Sequence, residues 1–440
     1  MSFNTFNLHP DLLRAVDALG FTAATPIQAD AIPPACGGRD VLACAMTGSG
    51  KTAAFLLPIL QRLIAKPRGV TRVLVLAPTR ELAAQIDEHR QQLARFTRIG
   101  GAAVFGGVAM EPQEKAFRRG ADILVATPGR LLDHFQYPYA KLDGLEVLVL
   151  DEADRMLDMG FLPDIRRIMR ALPARPRQTL LFSATLPSAI TTLARELLRD
   201  PALINVERPS APAVGVSHTA YPVASELKLP LLLELLSQPG VRNALVFTRT
   251  KHRANRLADG LAKRGVAAER IHGNRSQAQR TKALDDFKAG KTRILIATDI
   301  AARGIDVTGL SHVVNFDVPH VPDDYIHRVG RTARAEAVGD AVTFVSREEE
   351  GDFCAIERAV GRRIERVTLP SFDYQARPAE RLEVPLAQRI AEIRARKADD
   401  RARARRNAER RTIAFAAPRG RSTTTAAGHQ DRPRSYQPLA

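Results

Sequence analysis

The feature that most constrains this chain is a twice-repeated alternation of short, continuously apolar runs with segments of helix length. In the first series the runs lie at 41–45, 73–77, 123–126, 147–150 and 179–182, bounded by residues such as Pro78, Asp151 and Ser183. Runs so short and so uniformly apolar read as strands buried on both faces, since a strand with one wet face would alternate polar with apolar residues. The intervening segments, such as 81–96 and 165–172, have helix length and spacing. Strand and helix in alternation predict βαβ units, and so a parallel sheet covered on both sides. A second series of candidate strands follows, at 244–247, 270–272, 294–297, 313–316 and 341–345. The expected class is therefore α/β, with two parallel-sheet domains in tandem.

Between the two series the sequence ERPSAPAVGVS breaks every periodic pattern with two prolines, a glycine and small residues, and predicts a flexible linker at 208–217. Past residue 370 the strand pattern stops. Residues 385–411 are rich in Ala, Arg and Glu and fit a charged helix, whereas 412–440 are polar without apolar period. The expected plan is an N-terminal segment at 1–29, a first domain at 30–207, the linker, a second domain at 218–370 and a basic, largely disordered tail at 371–440.

Charge bears on the partner. The chain has 65 Lys and Arg against 48 Asp and Glu, a formal charge of +17, which points to a polyanion such as nucleic acid or an anionic membrane surface. Residues 371–440 hold 16 of the basic and 8 of the acidic side chains, about half the excess. An arginine run at 401–411 can hold phosphate backbones without a fold, or simply keep a tail solvated. No apolar run approaches the ~18 residues that span a bilayer. Asp11 and Arg14 also interrupt the stretch a signal peptide would need, so the expectation is a cytoplasmic protein without a membrane role. Cys36, Cys44 and Cys354 form neither a CxxC pair nor a Cys/His cluster, so no disulfide framework or structural metal is indicated.

The strongest local signal is AMTGSGKT at 45–52, between an apolar run and the helical AAFLLPIL. Strand, glycine loop and helix form the setting of a phosphate-binding P-loop. Gly48 and Gly50 let backbone N–H groups converge on phosphate oxygens, at a helix N-terminus whose dipole adds positive charge. Ala45, Met46, Thr47 and Ser49 complete the loop, Lys51 would neutralise the β and γ phosphates, and Thr52 would offer its hydroxyl to Mg²⁺. An acidic partner should end another strand, and LEVLVLDEAD at 145–154 supplies it. Asp151 would hold the metal, and Glu152 would orient and deprotonate the attacking water.

These two motifs, with DEAD at 151–154 continued by RMLDMGF, resemble the DEAD-box RNA helicases of superfamily 2, and among them the bacterial RhlE-like group. The resemblance covers residues 1–370 and implies two RecA-like domains. It implies that GFTAATPIQ at 20–28 reads adenine, with Gln28 on the base edge, Thr25 in support, and Phe3 stacking on the base or else anchoring the core. It assigns RNA-backbone contacts to Pro78, Thr79, Arg80, Gly106, Gly107, Thr127, Pro128, Gly129 and Arg130. In the second domain it assigns them to Thr248, His272, Gly273, Thr298 and Arg303. Asp306 would meet the ribose, and Arg331 and Arg334 the γ-phosphate, where a planar guanidinium suits charge spread over phosphoryl oxygens. Asp154, Ser183, Ala184, Thr185, His327 and Arg328 would couple hydrolysis to strand separation. Three positions depart from the family pattern: Ala24 for Pro, Met46 for Gln and Ala333 for Gly.

The resemblance thus implies an RNA-stimulated ATPase that uses ATP and Mg²⁺ and unwinds short duplexes with little base specificity. An ATP-gated RNA clamp is the alternative. Ribosomal precursors or an RNA-degrading nuclease complex are the implied partners, with a monomeric catalytic core.

Overall fold

A computed structural model describes residues 1–46, 48–174, 177–206, 216–302, 307, 310–332 and 339–376. The first sheet contains β1 (Val41–Cys44), β2 (Val73–Leu76), β3 (Gly101–Val104), β4 (Ile123–Ala126), β5 (Val147–Leu150), β6 (Gln178–Ser183) and β7 (Ala202–Asn205). The second contains β8 (Val216–Pro222), β9 (Ala244–Phe247), β10 (Glu269–Ile271), β11 (Ile294–Ala297), β12 (His312–Asn315), β13 (Gly339–Val345) and β14 (Glu365–Arg366). Their orders are β3-β4-β2-β5-β6-β1-β7 and β10-β11-β9-β12-β13-β8-β14. Every pairing is parallel. Counted from its own first strand, the second sheet repeats the order of the first.

The apolar runs explain the layering. In VLVL at β2 and again at β5 the valines enter one core and the leucines the other, because successive side chains point to opposite faces. In the second sheet Val246 and Ile296 join one cluster, and Leu245 and Leu295 the opposite one. Register then aligns the strand ends. Leu76 pairs with both Ala126 and Leu150, and Cys44 with Ser183. Phe247 likewise pairs with Ala297 and Asn315. The segments that follow these strands therefore leave each sheet along one carboxyl rim, where open α/β sheets place their ligands.

Four strands were not expected from the sequence. Strands β3, β7 and β14 are edges and β8 is next to one, so each has a face or flank in solvent and no pressure toward unbroken hydrophobicity. Two boundaries are corrected. Val216 and Ser217, expected in the linker, begin β8, while 208–215 lie outside the described residues. Residues 371–376, expected in the tail, belong to the second domain: Phe372 and Tyr374 pack on its core, and the Ser371 hydroxyl donates to Glu234 at 2.6 Å. The rest of the expected tail, 377–440, lies outside the described residues.

One buried cation stands out in the second domain. Lys228, at the start of the helix Lys228–Ser237, is fully enclosed, donates to the Phe316 carbonyl at 2.9 Å and forms a close ion pair with Glu349. Burial pulls its pKa below the usual lysine range, although Glu349 and Asp317 favour the charged form. Lys228→Ala would leave two enclosed carboxylates without this cation and should destabilise the second domain by about 3–5 kcal/mol. Chemical denaturation followed by circular dichroism measures this, and a shift under about 1 kcal/mol would contradict it.

Candidate active site

The P-loop takes the form its glycines predict. Gly48 and Gly50 have φ of +83° and +96°, in the left-handed region, and the helix Lys51–Leu63 starts directly after them. A Cβ on Gly50 would lie 2.5 Å from Gln28 Nε2 and 2.9 Å from Thr25 Oγ1, so the loop is pressed against the N-terminal segment. Gln28 joins the two: its Oε1 accepts from Thr25 N at 2.9 Å, and its Nε2 donates to the Gly50 carbonyl at 3.2 Å. Lys51 is buried and donates to the Ala45 carbonyl at 2.9 Å. Thr52 stands beside it on the first helical turn. The Ser49 hydroxyl is buried without a protein hydrogen-bond partner, as a polar group that serves a bound ligand would be, whereas the Thr25 hydroxyl belongs to a capping box with Gln28. Thr47 lies outside the described residues. Met46 is exposed, and Ala24 donates its N–H to the Met1 carbonyl at 2.9 Å.

The acidic half lies at the end of β5. Asp151 and Glu152 are both enclosed, and Glu152 adopts φ +51°, one of only three non-glycine residues with positive φ among those described. Such a strained backbone persists where the surroundings fix it. Burial pushes the Asp151 carboxyl up to about 6, against the opposing pull of Lys51. Glu152 goes the other way: burial would raise it, but the Arg155 guanidinium in close contact, together with Lys51, holds it below the usual range. Two adjacent carboxyls are thus driven apart by unequal cationic partners.

Asp154 ties this turn to the end of β6. Its Oδ2 accepts from Ala184 N at 3.1 Å, Thr185 N at 2.8 Å and Thr185 Oγ1 at 3.0 Å, while Ser183 Oγ accepts from Asp154 N at 3.3 Å. Strand β6 lies between β5 and β1, so SAT is wedged between both halves of the site.

One cavity of about 240 Å³ brings the halves together. Gln28, Gly48, Gly50, Lys51, Thr52, Asp151 and Glu152 line it from the first domain and Arg331 from the second, and the charge of Arg331 reaches Glu152. Phe21 lines it as well. Phe3 does not: its ring is 3% exposed and stacks on Phe21 with centroids 6.2 Å apart, so the reading of Phe3 as a base-stacking group is corrected to a core anchor that backs Phe21. Gln85 and His89, on the helix Arg80–Leu93, extend the cavity wall and carried no motif signal. Arg328 stays out of the cavity, 2% exposed, gripping Asp299 at 2.6 and 2.8 Å. His327 borders a small cleft beside it with Arg155. Arg334, Asp306 and Arg303, with Ala333, lie outside the described residues.

The rim segments divide into exposed and buried members. Arg80 lies over Gly106 and Gly107, where a Cβ on Gly107 would come within 2.0 Å of its guanidinium. Gly107, Gly129 and Gly273 are exposed, and Arg130 donates to the Val108 carbonyl at 3.1 Å. Pro78, Thr79, Thr127, Pro128, Thr248, His272 and Thr298 are instead buried. Thr79 Oγ1 caps its helix by accepting from Leu82 N at 3.2 Å. His272 binds Asn255 at 2.9 Å and accepts from Asn274 N at 3.3 Å, and burial among arginines lowers its pKa to about 4, so it is neutral and shapes the turn. The side chains of Thr79, Thr248 and His272 thus bond within their own or adjacent segments.

The domains also meet at Glu81, whose carboxylate accepts from Gln277 at 3.0 Å and pairs with Arg280 at 2.8 Å. Gln277 and Arg280, at i and i+3, share a face of the helix Gln277–Lys288. That shared face was readable, but its partner in the other domain was not.

Residues 25–193 match the DEAD/DEAH box helicase family and 227–336 the helicase conserved C-terminal domain. Over 377 residues the chain is 43% identical to the ATP-dependent RNA helicase RhlB of Pseudomonas syringae pv. tomato, across 84% of this chain and 95% of that protein. The chain belongs to the DEAD-box RNA helicases. It is also 40% identical over 391 residues to the DEAD-box ATP-dependent RNA helicase CshA of Geobacillus kaustophilus, covering 89% of this chain and 83% of that one. The structure of S. cerevisiae Dbp5 bound to RNA and ADP BeF3 superposes with a TM-score of 0.76 at 32% identity, covering 83% of this chain and 95% of that chain. As a DEAD-box helicase the chain is an ATP-hydrolysing RNA helicase with two RecA-like domains.

The tightness at Gly50 gives a direct test. Gly50→Ala in this DEAD-box helicase should weaken ATP binding about tenfold, since the new methyl meets Gln28 and Thr25 at a strained φ. Titration with a fluorescent ATP analogue measures it, and wild-type affinity would show that the loop can give way.

Proposed function

We propose that this helicase hydrolyses ATP in the cavity shared by its two domains and grips RNA along the carboxyl rims of both sheets. The observation that carries the proposal is the convergence of Lys51, Asp151 and Glu152 with Arg331, from opposite domains, on one cavity. A site built from two halves is complete only while the domains are together, which makes hydrolysis dependent on whatever holds them so.

The residues fit the nucleotide. The unpartnered Ser49 hydroxyl and the turn at Gly48 and Gly50 offer donors to it, with Gln28 and Phe21 at the base. Among the described residues no cluster of three or more His, Cys, Asp or Glu forms a metal cage, which suits Mg²⁺ brought in with phosphates and held through few protein oxygens. Thr52 and Asp151 would hold it, and it would supply charge neutralisation at the phosphate oxygens. Lys51 would exchange the Ala45 carbonyl for phosphate. Glu152, kept ionised by Arg155, orients the attacking water and takes its proton. Arg331, with Arg334, meets the charge that develops on the phosphoryl oxygens, and Asp306 meets the ribose. Asp154 transmits the state of this turn to Ser183, Ala184 and Thr185, and Arg328 with His327 does so in the second domain. Arg80, Arg130, Arg303 and the exposed glycine turns hold the RNA backbone, a mode with little base readout.

Within the family we place the chain in the RhlE-like group on its motif likeness. It would act as a cytoplasmic monomer on ribosomal precursors or beside an RNA-degrading nuclease. Sequencing of RNA crosslinked to the protein in cells separates these substrates.

The central test is ATPase activity with and without RNA, alongside unwinding of a short duplex. Glu152→Gln should lower turnover about 10²–10⁴-fold and abolish unwinding, while ATP and RNA still bind; normal hydrolysis by this variant would refute its role. Truncation after residue 376 should weaken RNA binding and flatten its salt dependence without changing RNA-free ATPase. An unaltered salt slope would show that the basic tail does not engage RNA.

A further inference from the structure

The repeat of strand order between the two sheets gives β8 the place of β1, and β12 the place of β5. The helix after β1 begins at Lys51, and the helix Lys228–Ser237 after β8 begins at Lys228. Asp151 and Glu152 follow β5, as Phe316 and Asp317 follow β12. Lys228 and Asp317 thus occupy, in the second domain, the positions that hold the ATP lysine and carboxylates in the first. Here the position is closed. Lys228 and Asp317 are fully buried, and Lys228 is already matched by Glu349.

Asp317 faces two ways from this sealed position. Its carboxylate accepts from Arg249 N at 2.8 Å, and its Oδ1 lies 3.1 Å from Arg253 Nε and 3.9 Å from Lys228 Nζ. Its main-chain carbonyl accepts from Arg328 at 2.8 Å. Arg249 directly follows Thr248 and is exposed in the loop after β9. Arg328 is three residues before Arg331 in the ATP cavity. The side chain of Asp317 therefore serves the RNA-facing loop, and its backbone serves the ATP-facing helix.

We propose that Asp317 is a positioning residue that fixes the RNA-facing loop after β9 to the strand end that holds Arg328, three residues before the ATP-facing Arg331. The proposal rests on the reading of that loop and of Arg331 given above. Removing only the carboxylate charge loosens the loop and spares the carbonyl that holds Arg328, so RNA affinity should fall without a matching loss on the ATP side.

The test is the RNA-stimulated ATPase of the full chain, titrated separately with RNA and with ATP. In Asp317→Asn the RNA concentration for half-maximal stimulation should rise about tenfold. The KM for ATP and kcat at saturating RNA should stay within about twofold. Because Asn leaves Lys228, Arg249 and Arg253 against Glu349 alone, Asp317→Asn combined with Lys228→Met restores the original excess of one positive charge. That double variant should fold and show the same RNA-specific rise. Unchanged half-stimulation in a folded variant, an equal loss on both axes, or failure of both variants to fold would each overturn the proposal. Wild-type protein without RNA stimulation would instead sink the reading on which it rests.

Discussion

A parallel sheet buried on both faces can present chemistry only at its strand ends, and in this chain that constraint organises everything else. The faces of β2, β4 and β5 are consumed by two hydrophobic cores, so no side chain within those strands is available for a ligand. Matched register then brings the residues after Leu76, Ala126 and Leu150 out at one level. PTREL, TPGR and DEAD are neighbours for that reason, although they are far apart in the sequence. The same holds in the second sheet for the segments after Phe247, Ala297 and Asn315.

Within the rim, electrostatics assign different work to similar groups. Asp151 and Glu152 are consecutive carboxyls with comparable burial, yet their proton affinities move in opposite directions, because Arg155 lies against one and not the other. Asp151 is left as an enclosed carboxyl that gains by meeting a cation, and Glu152 as a carboxylate ionised in advance. Glu152 also has a positive φ of +51° at this turn. Arg155 sits at i+3 from Glu152, so a helical turn is enough to deliver it.

The sequence made legible what depends on period and local pattern. The central strands other than β8 followed from short, mainly apolar runs, and the P-loop from glycines whose positive φ the structure requires. Edge strands such as β3 and β7 escaped, because half-exposed strands of four residues carry no distinctive composition. Lys51, Asp151 and Glu152, singled out from local pattern, line one cavity. Packing was not legible: Phe3 is buried behind Phe21, and Thr248 and His272 lie beneath the surface. Contacts between domains, such as Glu81 with Arg280, depend on how two sheets meet, and neither segment encodes that alone.

The paired lysines show why position in a fold does not by itself confer function. Lys51 and Lys228 each begin the helix after the first strand of a domain, both are buried, and both donate to a nearby main-chain carbonyl. They differ in what else is at hand. Around Lys51 a glycine turn with positive φ leaves a cavity and the unpartnered Ser49 hydroxyl, so its charge can be met from outside. Around Lys228, Glu349 supplies the counter-charge from within. An enclosed cation requires a partner, and whether the chain supplies that partner or leaves the place to a ligand separates a structural ion pair from a nucleotide site. Two domains of one topology can thereby differ, one leaving an open cavity beside its lysine and the other contributing an arginine to that cavity.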